Sequence, residues 1–270
     1  MIDAQLIAEL ATLGLVAGFM AGLMGIGGGV LVAPILTLIL TTRGMSADLA
    51  VKMSIATSMA TIVFTSLSSV RAHHQRGAVR WDLVRSVSPG IVVGGIAGSL
   101  GIFSVIKGTS LAILFAVFIG FFAFQLLRGT STVGHRPMPG TVGKLVGGVA
   151  IGLVAGLVGA GGAFLSMPFM LLHGVELINA VATSAALGFP VAFVNAGGYA
   201  LGHVGRTDLP AWTLGYIWLP ALAVIATGSV LTAPLGSRTA HSLPVGQLKR
   251  LMAAILLVLA SYMLYKGLHG

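Results

Sequence analysis

The stretch Gly22-Leu23-Met24-Gly25-Ile26-Gly27-Gly28-Gly29-Val30-Leu31-Val32-Ala33-Pro34 decides the fold. It sets Gly25, Gly27, Gly28 and Gly29 inside an apolar run from Leu6 to Leu40 that would otherwise continue as one helix. Each glycine costs a helix about 1 kcal/mol relative to alanine. Pro34 also removes a backbone donor and crowds the preceding turn. The run is therefore expected to divide into two pieces around Gly25 to Gly29. In an apolar surrounding, non-helical backbone is tolerated only where protein buries it or where it lines a polar cavity. Half-helix ends beside such a break are the usual ion and substrate sites of transporters, which makes this stretch the leading site candidate.

The apolar surrounding follows from composition. Of 270 residues, 56% are hydrophobic and 8% charged, and the mean hydropathy is +1.02. Several apolar runs reach the roughly 20 residues a spanning helix needs, whereas a membrane barrel would show short alternating segments. The fold class is an all-α polytopic membrane protein. Asp3 and Glu9 stand at the start without a basic region, so the first apolar run is expected to remain as a span and not as a cleaved signal. With no cysteine, thiolate metal sites, disulfides and cysteine redox chemistry are excluded.

Past a polar, glycine- and proline-rich linker the pattern restarts. Gly152 to Pro168 (GLVAGLVGAGGAFLSMP) matches Gly18 to Pro34 without a gap, pairing Gly25 with Gly159, Gly27 with Gly161, Gly28 with Gly162 and Pro34 with Pro168. Ala56-Thr57-Ser58 recurs as Ala182-Thr183-Ser184, Arg80-Trp81-Asp82-Leu83 as Arg206-Thr207-Asp208-Leu209, and Gly98-Ser99 as Gly228-Ser229. Two membrane repeats are expected, 1–128 and 144–270, joined by a linker at 129–143, with about four hydrophobic elements in each.

Charge placement bears on their orientation. Arg71, Arg76, Arg80, Arg85, Arg128, Arg136, Lys144, Arg238, Lys249 and Arg250 share one face if each broken element turns back on itself; a single crossing would scatter them. By the positive-inside bias, inverted repeats with both termini outside are expected. The net charge of +9 is read first as this topological signal and second as a field for anions, with no call for nucleic acid.

At the two glycine motifs, each closed by a proline and followed by a Thr-Ser pair in the next helix, the chain resembles the TauE/SafE family of membrane transporters from about Leu6 to Lys266. The resemblance implies export of small sulfur oxyanions, such as sulfite or organosulfonates like sulfoacetate, across the bacterial inner membrane. The second motif has Ala163 where the first has Gly29, so the two halves of a site need not be equivalent.

The candidate substrate-binding residues are Gly25, Gly27, Gly28, Gly29, Thr57, Ser58, Gly159, Gly161, Gly162, Thr183, Ser184, Lys52 and Asn195. Clustered glycines expose backbone all round the axis, and amides at a half-helix N-terminus carry partial positive charge suited to an oxyanion. The spaced pairs Gly94-Gly95, Gly147-Gly148 and Gly197-Gly198 read instead as close packing between helices. The hydroxyls have a competing role, bonding to the preceding turn of their own helices. Lys52 could snorkel to an interface or attract the anion, and Asn195 could join helices or bind substrate. Asp3, Glu9, Asp48, Asp82, Glu176 and Asp208 all fall at expected ends or loops, which argues against a cation relay. No HExxH, GxSG frame or membrane aspartate pair is present, so no enzyme, cofactor or metal is expected. The alternatives are a transporter of another small anion or carboxylate, or a non-transporting structural membrane protein. The partners expected are the anion and the lipid bilayer, with a homodimer left open.

Overall fold

The computed structural model describes residues 3–24, 28–128, 136–202, 209–239 and 245–269. Gly25, Gly27 and the Arg206-Thr207-Asp208 match lie outside these residues. Among the described residues, seven helices are long and apolar enough to cross a membrane. Their apolar residues have no single stripe, as expected where lipid and not water surrounds a bundle. The chain is an all-α polytopic membrane protein.

The apolar run does divide. Helix α1 (Ala4–Met24) ends before the glycines, and α2 (Gly29–Thr42) starts anew at them, with Pro34 accommodated inside it. Gly28 caps α2 with φ 71°, a left-handed conformation that a side chain would resist. The same device separates α7 (Thr141–Val158) from α8 (Ala163–Leu172), capped by Gly162 with φ 73°.

Both broken elements turn back. Arg43, just after α2, pairs with Asp3 and Glu9 at 3.1 and 3.4 Å, so α2 returns to the face from which α1 sets out. In the second element the ring of Phe169, late in α8, lies against Gly147, early in α7. From Arg43, α3 (Ala47–His74) crosses the bundle. The return span is continuous from Trp81 to Val105: α4 (Trp81–Ile96), a π-helical turn at Ala97–Ile102, and α5 (Phe103–Val105). Its arrival is fixed by the amide of Gly108, which opens α6 (Gly108–Arg128) and donates to the Asp48 carboxylate near the start of α3. In the second half α9 (Leu177–Leu201), α10 (Leu219–Thr239) and α11 (Val245–His269) follow. Late in α11, Tyr262 meets Thr41 at 3.4 Å and Gly267 packs on Thr109, so the described C-terminal end lies on the same face as Asp3.

Each half hands its first helix to the other. On α1, Gly14 and Gly18 seat the backbone of Ile225 and Ser229 of α10; on α7, Gly148 and Gly152 seat Val87 and Ile91 of α4. A Cβ at any of the four would stand within 2.7 Å of a backbone oxygen. Small residues give this close approach, where association rests on van der Waals packing and hydrogen bonds. The paired residues advance together along each pair, so α1 runs alongside α10 and α7 alongside α4. Because α4 runs back toward the face of Asp3, the two hairpins enter from opposite faces. Among the spaced glycine pairs, Gly94, Gly95, Gly147, Gly148 and Gly198 have close neighbours, whereas Gly197 faces open space.

Among the described residues each half contains five helical stretches, because each broken element yields two. One detail departs from the sequence reading. A short hairpin, β1 (Thr213–Leu214) with β2 (Ile217–Trp218), precedes α10. This extra chain shifts the correspondence between the halves: packing sets Gly228 against Gly14 as it sets Gly90 against Gly148. Gly90 therefore matches Gly228, and not Gly98 as the sequence alignment had it.

Candidate functional site

The centre of the bundle is where α3 and α9 cross beside the two breaks. On α3, Ser58 is fully buried, and its hydroxyl lies 2.9 Å from the carbonyl of Gly29 and 3.1 Å from that of Gly159. One side chain thus touches both breaks. The approach is tight because Gly29 has no side chain: a Cβ there would lie 2.7 Å from the Ser58 hydroxyl oxygen and 3.0 Å from the Gly159 carbonyl oxygen. Gly159 itself has φ 74° and presses on Ile55 of α3, and Gly161 has φ 70° with its carbonyl toward Gly188 of α9.

The threonines beside these serines bond across the molecule, not to the preceding turns of their own helices. The amide of Trp218, at the end of β2, donates to the Thr57 hydroxyl at 3.0 Å; the amide of Arg80, at the start of α4, donates to the Thr183 hydroxyl at 3.0 Å. Each hydroxyl is fully buried and acts as an acceptor, so its own proton remains to be donated. Among the described residues neither proton has an acceptor. These bonds give Arg80 and Trp218 equivalent roles toward Thr183 and Thr57.

The halves diverge at the serines. Ser184 is 1% exposed and accepts the Ser166 hydroxyl at 3.0 Å, a bond that stays within the second half. At the breaks, the amides of Gly29 and Val30, and those of Ala163 and Phe164, are the first of their half-helices and have no acceptor among the described residues. The crevice touching Gly162 holds about 20 Å³, room for about one water.

Lys52 does not snorkel. It is 4% exposed, with its ammonium 5.9 Å from the Phe103 ring centre and 5.8 Å from that of Tyr216. Asn195 is fully buried and donates to the carbonyls of Val191 at 2.8 Å and Gly152 at 3.4 Å, joining α9 to α7. Among the described residues its Oδ1 has no partner, so it joins the two helices with one acceptor left over. Gly156, beside it, accepts the Tyr199 hydroxyl.

Sequence reasoning missed Phe103, Tyr199 and Tyr216, whose rings form one cluster with centroid separations of 4.4 and 5.6 Å. The available signal was Leu214-Gly215-Tyr216-Ile217-Trp218, a turn glycine amid strand-forming aromatic and β-branched residues.

The model for the family described as sulfite exporter TauE/SafE matches residues 10–263. A probable membrane transporter protein of Haemophilus influenzae is 31% identical over 94% of this chain and 96% of its own. Another of Methanocaldococcus jannaschii is 25% identical over 96% of each chain, and the probable membrane transporter protein YunE of Bacillus subtilis is 26% identical over 97% of this chain and 98% of its own. No solved structure matches. With nearly its whole length matched, the chain belongs to the TauE/SafE family of membrane transporters.

Proposed function

We propose that this protein is a secondary transporter that exports a small sulfur-containing anion, sulfite or an organosulfonate, across the bacterial inner membrane. Two inverted repeats, 1–128 and 144–270, alternate access to a site between them, and the linker lies on the cytoplasmic face with the clustered arginines. Both termini are then periplasmic.

The observation that carries this reading is the meeting of both breaks at Ser58, together with the buried hydroxyls of Thr57 and Thr183, each of which accepts an amide from the opposite half. An oxyanion needs donors. The site offers two uncommitted hydroxyl protons and four half-helix amides, while none of the described carboxylates is among the buried residues. The same bonds tie the site to the moving parts, since a substrate that recruits Thr57 or Thr183 competes with or reinforces a contact between the halves. Rocking of one half against the other needs such contacts to exchange.

Proteoliposomes containing the purified protein, loaded with sulfite, methanesulfonate, sulfoacetate, acetate or sulfate, test the reading. Efflux of a sulfur anion above protein-free vesicles is expected. Efflux of acetate alone would reassign the protein to carboxylates, and no flux of any member would leave a structural role.

A further inference from the structure

Among the described residues Lys52 is the buried cation, and the transport reading has not used it. It sits on α3 between Asp48 and Thr57, and among the described residues no carboxylate lies within salt-bridge distance of it. Asp48, one turn earlier on the same helix, is turned instead to the amide of Gly108. Asp3, Glu9 and Asp82 are engaged by Arg43 and Arg80. Two aromatic faces at nearly 6 Å return only a small part of what an ammonium loses on leaving water. A side chain of this length could reach an interface if solvation were its only need. A buried charge held short of that points to a ligand of opposite sign.

We propose that the Lys52 ammonium is the charge partner of the transported anion and that Tyr216, on the β1–β2 hairpin, is the cover the anion displaces. The proposal rests on the transport reading and adds residues to its site. The hairpin is tied at two points. The Tyr216 amide donates to the Tyr199 carbonyl at 3.2 Å, while the Trp218 amide, two residues on, holds the Thr57 hydroxyl. An oxygen that takes the Thr57 proton and the Lys52 charge together must lie between them, beside the hairpin that sets the Tyr216 ring near the ammonium and the Trp218 amide on Thr57. Phe103 forms the fixed wall. It follows the π-helical turn Ala97–Ile102, a local widening of the helix often found at functional sites, and is 1% exposed. In the register of Thr57 with Thr183, the second half has Ile178 where the first has Lys52, and Ile178 is 56% exposed. The charge is therefore on one side of the site only, and the hairpin that covers it belongs to the opposite half.

The test compares Lys52→Gln, Lys52→Arg and Tyr216→Ala with the parent, by calorimetry of sulfite and methanesulfonate in detergent and by initial efflux rates. Lys52→Gln is expected to weaken binding and raise KM tenfold or more, and Lys52→Arg to keep affinity within threefold of the parent. Tyr216→Ala is expected to bind as tightly as the parent or more tightly, because the free state loses the rings' hold on the ammonium. Opposite signs at two touching residues are not the result of general loosening. Parent-like affinity in Lys52→Gln, or weakening of tenfold in Tyr216→Ala, overturns the proposal. If Lys52→Gln does not fold, Lys52→Arg and Tyr216→Ala decide it by the same limits. A parent that neither binds nor moves either anion overturns the transport reading itself, whereas flux in the parent with an unchanged KM in Lys52→Gln overturns only the role of Lys52.

Discussion

The two breaks share a backbone and differ in what surrounds it. Both half-helices start from a left-handed glycine, Gly28 at φ 71° and Gly162 at φ 73°. At the next position the first break has Gly29, where a Cβ would meet Ile62, Ser58 and the Gly159 carbonyl, and the second has Ala163, which carries its Cβ in place. The serine beside the first break reaches both breaks, and the serine beside the second reaches only Ser166. A duplicated chain conformation can thus support an off-centre site: backbone geometry recurs because turning back within an apolar layer requires it, while side chains are free to diverge. The first break is the intolerant one.

The largest expected effect follows from that contrast. Gly29→Leu would drive a side chain into Ile62, Ser58 and the second break, and efflux should fall to the protein-free level while the protein still extracts as a monodisperse species. Overpacking of this kind costs about 1 to 3 kcal/mol, too little to unfold most domains but enough to stop a fitted site from moving. Ala163→Leu should retain measurable efflux. Equal loss in both variants would erase the asymmetry between the breaks.

Next come the threonines, which also differ in their surroundings. Thr57→Val leaves the Trp218 amide facing a methyl group; Trp218 is 8% exposed, and an unsatisfied buried donor costs about 1 to 3 kcal/mol. Thr183→Val does the same to the amide of Arg80, an exposed residue, where water can replace the hydroxyl. Thermal unfolding in detergent should therefore drop more for Thr57→Val than for Thr183→Val. Anion affinity should fall in both, by about tenfold if a charged ligand loses one bond. A larger drop in unfolding temperature for Thr183→Val would mean that the Arg80 end is the tighter clasp.

Ser58→Ala is expected to act more mildly. It removes a donor shared between two carbonyls, each with further accepting capacity, and a single neutral bond is worth about 1 kcal/mol. The KM for sulfite should rise a few-fold, and Ser184→Ala should leave it unchanged. A higher KM in Ser184→Ala than in Ser58→Ala would shift the centre of the site to the second half.

The places where the sequence was readable are those where one residue type forces one conformation. Clustered glycines in an apolar run cannot stay helical, so the breaks at 24–29 and 158–163 were legible to within a residue or two, as were the spans around them. The role of Ser58 was not, because it depends on how close two remote backbones come, a distance set by packing between the halves. Thr57 and Thr183 stood out by recurrence, yet their partners on Trp218 and Arg80 could not be read, since the similar Arg80 and Arg206 tetrapeptides suggested another register. Lys52 could be read as an interfacial lysine or as an anion-attracting one, because nothing local says that Phe103 and Tyr216 fold over it. Tyr216 comes from a hairpin of two-residue strands, too short to give any periodic signal.

The smallest expected effect separates the hairpins at their outer ends. The first is latched by Arg43 to Asp3 and Glu9, whereas among the described residues of α7 and α8 no ion pair closes the second. The Asp3 carboxyl is held below the usual carboxylate range, first by its hydrogen bond from Arg43 and then by the Leu6 amide. A depressed carboxyl contributes stability that is present at neutral pH and lost as pH falls through its folded value. The latch should therefore loosen on acidification below the ordinary carboxylate range, and not between pH 6 and 8. Exposed pairs of this kind contribute little, so Asp3→Asn should leave efflux and unfolding temperature unchanged within error. The absence of native cysteine makes the contact itself measurable. In a variant carrying Asp3→Cys and Arg43→Cys, a short bifunctional thiol reagent should cross-link the two ends of the first hairpin, and a cysteine pair placed at Asp3 and His74 should not react. Ready cross-linking of the Asp3–His74 pair instead would mean that α1 and α2 cross the membrane once, as a single kinked span, and would remove the turned-back hairpin on which the opposed entry of the two breaks depends.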